Sequence, residues 1–118
     1  MPELDYDLDV RLPEANAQLL KLLRHFGPHG VGNPSPVFIS RGVNIVGDVR
    51  EVGEGHAKLQ LSQDGTRLQA IGFRMMERLR EMAITSAKPI DVAYHLQTDR
   101  YNGMEYLQAR LLDVRLAG

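Results

Sequence analysis

The stretch "RLQAIGFRMMERLREMAITSAKPIDVAYHLQT", residues 67–98, changes its apolar period twice. "RLQAIGF" reads as a strand, and the segment after it is spaced as a helix. There Met75, Met76, Leu79, Met82 and Ala83 group on one face, with Glu77, Arg78, Arg80 and Glu81 on the solvent side. A methionine stripe of this kind fills core. Alternation then returns, with Ile90, Val92, Tyr94 and Leu96 set against Asp91, Ala93, His95 and Gln97. The unit is strand, short helix, strand.

Upstream, "RGVNIVGDVREV" places Val43, Ile45, Gly47 and Val49 on one face, with Asn44, Val46, Asp48 and Arg50 on the other. "HAKLQLS" turns Ala57, Leu59 and Leu61 inward and His56, Lys58, Gln60 and Ser62 outward. Gly53 and Gly55 make the turn between these runs tight, and Asp64-Gly65 marks a hairpin. Downstream, "DRYNG" turns at Asn102-Gly103, and "MEYLQARLLDVRL" is the last strand. Three strands, a short helix and two strands is the element order of the OB-fold, a five-stranded Greek-key barrel whose interior is filled by side chains. The strands alone would also suit an SH3-like barrel or an α+β sandwich. The helix between the third and fourth strands favours the OB arrangement within a mainly β chain.

Ahead of the barrel, "LDYDLDVRL" alternates, with Leu4, Tyr6, Leu8 and Val10 on one side and three aspartates and Arg11 on the other, as on a half-buried strand. A calcium loop fails here. Val10 stands where that loop needs its glycine, and Asn16 where it needs a bidentate glutamate. "PEANAQLLKLLRHF" reads as a helix opened by Pro13, with Leu19, Leu22, Leu23 and Phe26 on one face, stopped by Gly27 and Pro28. That stop also separates His25 from His29, so their four-residue spacing is not expected to hold a metal.

"FGPHGVGNPSPVF", residues 26–38, then leads into Val37-Phe38-Ile39, the start of a strand. A phosphate-binding loop would lead into a helix. Glycines at 27, 30 and 32 open unusual backbone angles, while Pro34 and Pro36 stiffen the segment. The segment reads as a shaped connector that docks the N-terminal helix onto the barrel. The expected division is residues 1–36 for strand, helix and connector, and 37–118 for the OB-fold domain.

Composition bounds the rest. The chain has 118 residues, 43% of them hydrophobic, which suits one small domain. It has no cysteine, so neither disulfides nor thiolate metal sites are available, and the reducing cytoplasm is the expected compartment. No basic leader opens the sequence, and no apolar run nears the ~18 residues of a membrane span, so no membrane association is expected. Net charge is −1, from 14 basic and 15 acidic residues, which is not the strongly basic balance of many DNA-binding domains. The acids are unevenly placed, with Glu3, Asp5, Asp7, Asp9 and Glu14 in the first fourteen residues. Eleven of the basic residues are arginine, the side chain best suited to bidentate phosphate contacts and to stacking on bases.

The glycine-proline segment resembles the Pro-Phe-Gly-x-Gly-Asn-Pro-x-Pro-x-Phe signature of RecJ-type single-strand-specific exonucleases, matched at Gly30, Gly32, Asn33, Pro34, Pro36 and Phe38. His29 stands where that signature has phenylalanine. "VREVGEGHAKLQL" is similar to a segment of the family's C-terminal OB domain, with Ala57 in place of leucine. "LQAIGF", "DVAYHL", "YNG" and "LQARLLDVR" follow in the family's order, and "LDYDLDVRL" is similar to the strand before the signature. The resemblance implies a bacterial-type parent that degrades single strands 5'–3' in DNA repair and recombination, using magnesium or manganese. The family's Asp-His-His-type metal motifs are missing from this sequence, so no catalytic residue and no cofactor are expected within it.

OB barrels bind oligonucleotides across their second and third strands, between the strand 1–2 and strand 4–5 loops. Here those places offer Arg50, His56, Lys58, Gln60, Arg67, Gln69 and Arg74, with Arg100 and Tyr101 in the later loop. Cationic side chains would meet phosphates, and Tyr101 could stack on a base. The expected function is single-stranded DNA binding that guides the strand to a nuclease centre outside this sequence. The alternative is an architectural module docking on the nuclease domains of its parent or on a replication or repair partner.

Overall fold

The computed structural model describes residues 6–25 and 35–118. In chain order it contains β1 (Leu8–Asp9), a 3-10 turn (Leu12–Glu14), α1 (Ala17–His25), β2 (Phe38–Val52), β3 (His56–Gln63), β4 (Thr66–Gly72), α2 (Met76–Glu81), β5 (Ile90–Tyr101) and β6 (Met104–Leu116).

Closure follows from the length of β2. Its first half pairs antiparallel with β5, from Phe38↔Tyr94 to Val43↔Ile90. Its second half pairs with β3, from Asn44↔Ser62 to Val52↔His56. Antiparallel β3–β4, parallel β4–β6 and antiparallel β5–β6 pairs complete the ring. The result is a five-stranded closed barrel with α2 between its third and fourth strands, the OB-fold. Two irregularities bend β2 around the corner, one between Ser40 and Val43 and one between Val46 and Arg50. Gly47, expected to face inward, is exposed within the second at φ 72°. Both predicted hairpins form as two-residue turns with positive φ at Asp64-Gly65 and at Asn102-Gly103.

Alternation fills the interior. Phe38, Val43, Ala57, Leu61, Ala70, Ile90, Val92, Tyr94 and Ala109 are each at most 1% exposed. Burying a side chain the size of Phe38 or Leu61 contributes about 1.5–3 kcal/mol. Met75, Met76 and Leu79 cover the barrel where β4 runs into α2. Leu12 covers the opposite end, beside the β3–β4 hairpin, where Gln63 joins the layers. Gln63 Oε1 accepts from Leu12 N at 3.0 Å, and its Nε2 donates to Arg41 O at 2.7 Å. Arg11 pairs with Asp64 on the same hairpin and holds the Asp64 carboxyl below the ordinary carboxylate range through their hydrogen bond.

The N-terminal segment departs from its expected form. β1 is two residues long and runs parallel to β2, with Leu8 opposite Phe38. Tyr6 and Leu8 are both 41% exposed, and only Val10 of the described apolar set turns inward. Arg41 lies over the Tyr6 ring at 5.2 Å, and a two-residue strand at a sheet edge buries little of its own surface. The aspartates serve the chain itself: Asp7 Oδ2 accepts from Val37 N at 2.8 Å, and Asp9 pairs with Arg41 at 2.9 Å. The helix starts later than Pro13, because Asn16 Oδ1 caps the Leu19 amide at 2.9 Å. The buried face therefore shifts to Leu20, flanked by Leu19 and Leu23, and Leu22 is 51% exposed. Phe26, His29 and the connector through Asn33-Pro34 lie outside the described residues.

Two further expectations change. Ala83 is exposed, because α2 ends at Glu81 and the chain turns at Ala83 with φ 54°. The first half of β5, Ile90 to Tyr94, is buried on both faces rather than one. Ala93 packs with Ile39 and Val37 in a small second cluster, and Asp91 is 5% exposed. That carboxylate accepts from Gly42 N and from Arg115 Nε, each at 2.9 Å, which satisfies it where β2 bends.

A buried polar chain links the N-terminal segment to the core. Ser40 Oγ donates to Val10 O at 2.8 Å, so the Tyr94 hydroxyl at 2.8 Å must be the donor to Ser40 Oγ. Burial raises the Tyr94 pKa above its ordinary value of 10.0. The unfolded chain therefore ionises this tyrosine first, and its contribution to stability, complete below about pH 10, is lost as pH rises through the folded value. Tyr94→Phe is expected to cost about 1 kcal/mol at neutral pH through the lost hydrogen bond. The deficit should narrow at about pH 11, as read by urea denaturation of both proteins.

Candidate nucleic-acid interface

The barrel's register builds the candidate site. Residues paired directly across strands share a face, so an outward position on β3 continues onto its neighbours on both sides. Arg50 lies opposite Lys58, Lys58 opposite Ile71, Ile71 opposite Arg110, and Arg110 opposite His95. These five residues form one row across β2, β3, β4, β6 and β5. The adjacent row runs Gln60, Gln69, Gln108, Gln97 over β3, β4, β6 and β5. Two residues of strand, roughly 7 Å, separate the rows. One is cationic and the other is made of side-chain amides.

The β5–β6 hairpin extends these rows to its tip and bounds a groove. About 520 Å³ of space lies between Arg50, Lys58 and Gln69 on the sheet and Tyr101, Tyr106 and Gln108 on the hairpin strands. Tyr101, Met104 and Tyr106 are 67%, 60% and 46% exposed, an unusual concentration of large side chains in solvent. Asp99 also lines the groove and Asp48 a smaller depression beside Arg50 and Lys58, so the face is mixed in charge with cations in excess.

Just past the end of β4, two residues beyond Ile71, Phe73 anchors a cluster. The Arg110 guanidinium lies over its ring at 5.2 Å, and the His56 ring meets it edge-on at 5.2 Å and 76°. The Arg74 amide donates to His56 Nδ1 at 2.9 Å, which leaves the proton on Nε2. On β5, His95 has the reverse arrangement, its Nδ1 donating to the Pro36 carbonyl at 3.0 Å.

Of the residues named from sequence, Arg50, Lys58, Gln69 and Tyr101 line one groove. Gln60 and Arg67 line an adjoining depression with Gln69 and Tyr106. His56 sits at the Phe73 cluster, with Arg74 contributing a backbone amide from the turn that follows β4. Arg100 stands apart. It alternates with Tyr101 onto the other face of the hairpin and pairs with Glu105 at 3.8 Å. Arg110, Phe73 and Tyr106 were missed, although alternation along "MEYLQAR" from Tyr106 through Gln108 to Arg110 marks one face.

Six of the arginines are already paired. Arg11, Arg41, Arg78, Arg80, Arg100 and Arg115 each pair with a carboxylate. Arg50, Lys58, Arg67 and Arg110 on this face form no ion pair among the described residues. Nor, among those residues, is any group of three or more His, Asp or Glu side chains placed to hold a metal. No helix there is long and apolar enough to cross a membrane.

Comparison with known proteins gives the following likenesses. The RecJ OB domain family model matches residues 6–113. The Mn2+ complex of RecJ from Thermus thermophilus is 26% identical at a TM-score of 0.60, over 92% of this chain and 15% of that one. The Mg2+ complex of RecJ from the same organism is 23% identical at 0.58, over 92% and 16%. The second single-stranded DNA-binding protein of Mycobacterium smegmatis shares the fold at 17% identity and a TM-score of 0.56, over 68% of this chain and 84% of that one. This chain thus spans about 15% of the length of the Thermus RecJ it matches. No curated protein matches the sequence significantly.

The histidine geometry has a direct readout. Nitrogen-15 shifts of the imidazoles are expected to show His56 as the Nε2–H tautomer and His95 as the Nδ1–H tautomer at neutral pH, with the Arg74 amide protected from exchange. Equal populations of both tautomers at His56 would contradict the bond to Arg74.

Proposed function

The chain belongs to the RecJ OB domain family, and from that membership we propose that it binds single-stranded DNA and guides the strand to a nuclease centre elsewhere in its parent protein. The observation that carries the reading is the row of Arg50, Lys58 and Arg110 running across the sheet beside exposed tyrosines. Cations spaced across a groove follow a polyanionic backbone, and aromatic rings above them accept unstacked bases. No base-specific pocket is needed for this, so binding is sequence-tolerant. Cleavage of phosphodiesters, with the divalent metals that RecJ structures carry, falls to the parent's other domains.

A second contact accompanies this one. Leu112 and Leu116 are 41% and 37% exposed and do not line the groove. They support docking of the barrel on nuclease domains of the same parent through residues outside the groove.

The isolated chain should bind oligo-dT weakly, with log K falling against log salt by about 0.7 per phosphate neutralised. Replacing Arg50, Lys58 and Arg110 together by alanine should remove about two from that slope and most of the affinity. Arg100→Ala, already paired with Glu105, should change either much less. Fluorescence anisotropy across a salt series checks all three proteins. Binding that survives the triple substitution with its slope intact rejects this face, and tight association with a separate nuclease core without any binding to single strands selects the docking role alone.

A further inference from the structure

Resting on the reading of this face as a single-strand site, we propose that Gln60 and Gln69 contact nucleobase edges, so that the amide row engages bases while the cationic row engages phosphates. The two rows differ in the ligand they can satisfy. A phosphate oxygen only accepts hydrogen bonds, and Arg50, Lys58 and Arg110 only donate them. An amide carries a donor and an acceptor in one plane, as base edges do, and its acceptor is of no use to a phosphate.

The four glutamines are not equivalent. Gln97 Nε2 donates to Gln108 Oε1 at 2.9 Å, and Gln108 is 6% exposed, so these two amides are engaged with each other. Gln60 and Gln69, directly opposite one another on β3 and β4, make no side-chain hydrogen bond among the described residues. Gln69 lies at the centre of the face, lining three adjoining depressions that meet there. Lys58 and Ile71 flank the pair on one side and Arg67 on the other, so a strand whose phosphates follow the cations lays its bases within reach. Because each amide can turn over and exchange its donor with its acceptor, it matches any of the four bases. The contact adds affinity for bases without selecting a sequence.

The test compares the 118-residue chain on an oligo-dT of about 12 nucleotides and on an abasic backbone of equal length. The wild type should prefer the base-containing strand. Gln60→Met with Gln69→Met keeps the length of both side chains and removes both amides. This variant should lose on the order of tenfold of that preference while its salt slope and its binding to the abasic strand stay unchanged. An unchanged preference overturns the proposal, and so does an equal loss on both strands, which would place the amides on the backbone. Failure of the wild type to bind either strand removes the single-strand reading itself and is distinct from both.

Discussion

β2 has to hydrogen-bond to β5 along its first half and to β3 along its second, and every other feature of this molecule depends on that double pairing. A 15-residue strand cannot do so while straight, so it bends at its two irregularities. Their positions set the register with both neighbours, and a one-residue slip would turn every core side chain outward. Asp91 and Arg115 tie down the first bend through the Gly42 amide, and the second brings Val49 against the core. Once β2 is fixed, β3, β4 and β6 pair in an alignment that keeps Leu59, Leu68 and Leu111 inside. The outward rows follow as the complement of that packing.

The same alignment explains why so much of the fold was legible from sequence and where legibility stopped. Asp64-Gly65 and Asn102-Gly103 are local signals, since left-handed angles at both turn positions restrict what can stand there, and both hairpins form where expected. Strand alternation is equally local from Val43 to Ile45 and from Ala57 to Leu61, because one face of each strand is solvent, and it fails at Gly47, where β2 bends. β5 was misread for a non-local reason. Ala93 is small and Asp91 charged, and nothing nearby in sequence shows that Ile39 covers one and that Arg115 neutralises the other. The exposed Leu8 is the reverse error, an apolar alternation left uncovered at a sheet edge.

The candidate site divides along the same line. Arg50, Lys58, Gln60 and Gln69 were visible because they are the outward residues of strands read correctly. Arg110 and Tyr106 join them only through the parallel pairing of β4 with β6, a contact between segments about forty residues apart that no local pattern announces. Arg100 shows what is lost when a hairpin is read as a loop. On an extended strand it and Tyr101 must face opposite ways, and Glu105 claims it from across the hairpin.

A net charge of −1 is compatible with a surface that holds a polyanion, because screening makes the average irrelevant. At physiological salt an exposed charge acts over about 8 Å, and the molecule measures 39 × 37 × 30 Å. In the acidic N-terminal stretch Asp9 is held by Arg41, while Arg11 occupies Asp64 of the β3–β4 hairpin, each pair compact and close to neutral. Exposed pairs like these contribute little to stability. They neutralise two carboxylates, while Arg50, Lys58 and Arg110 stand in one row on the sheet face. In the single-strand contact proposed above, a phosphodiester backbone would meet that row within a screening length, with Asp48 and Asp99 at its margins.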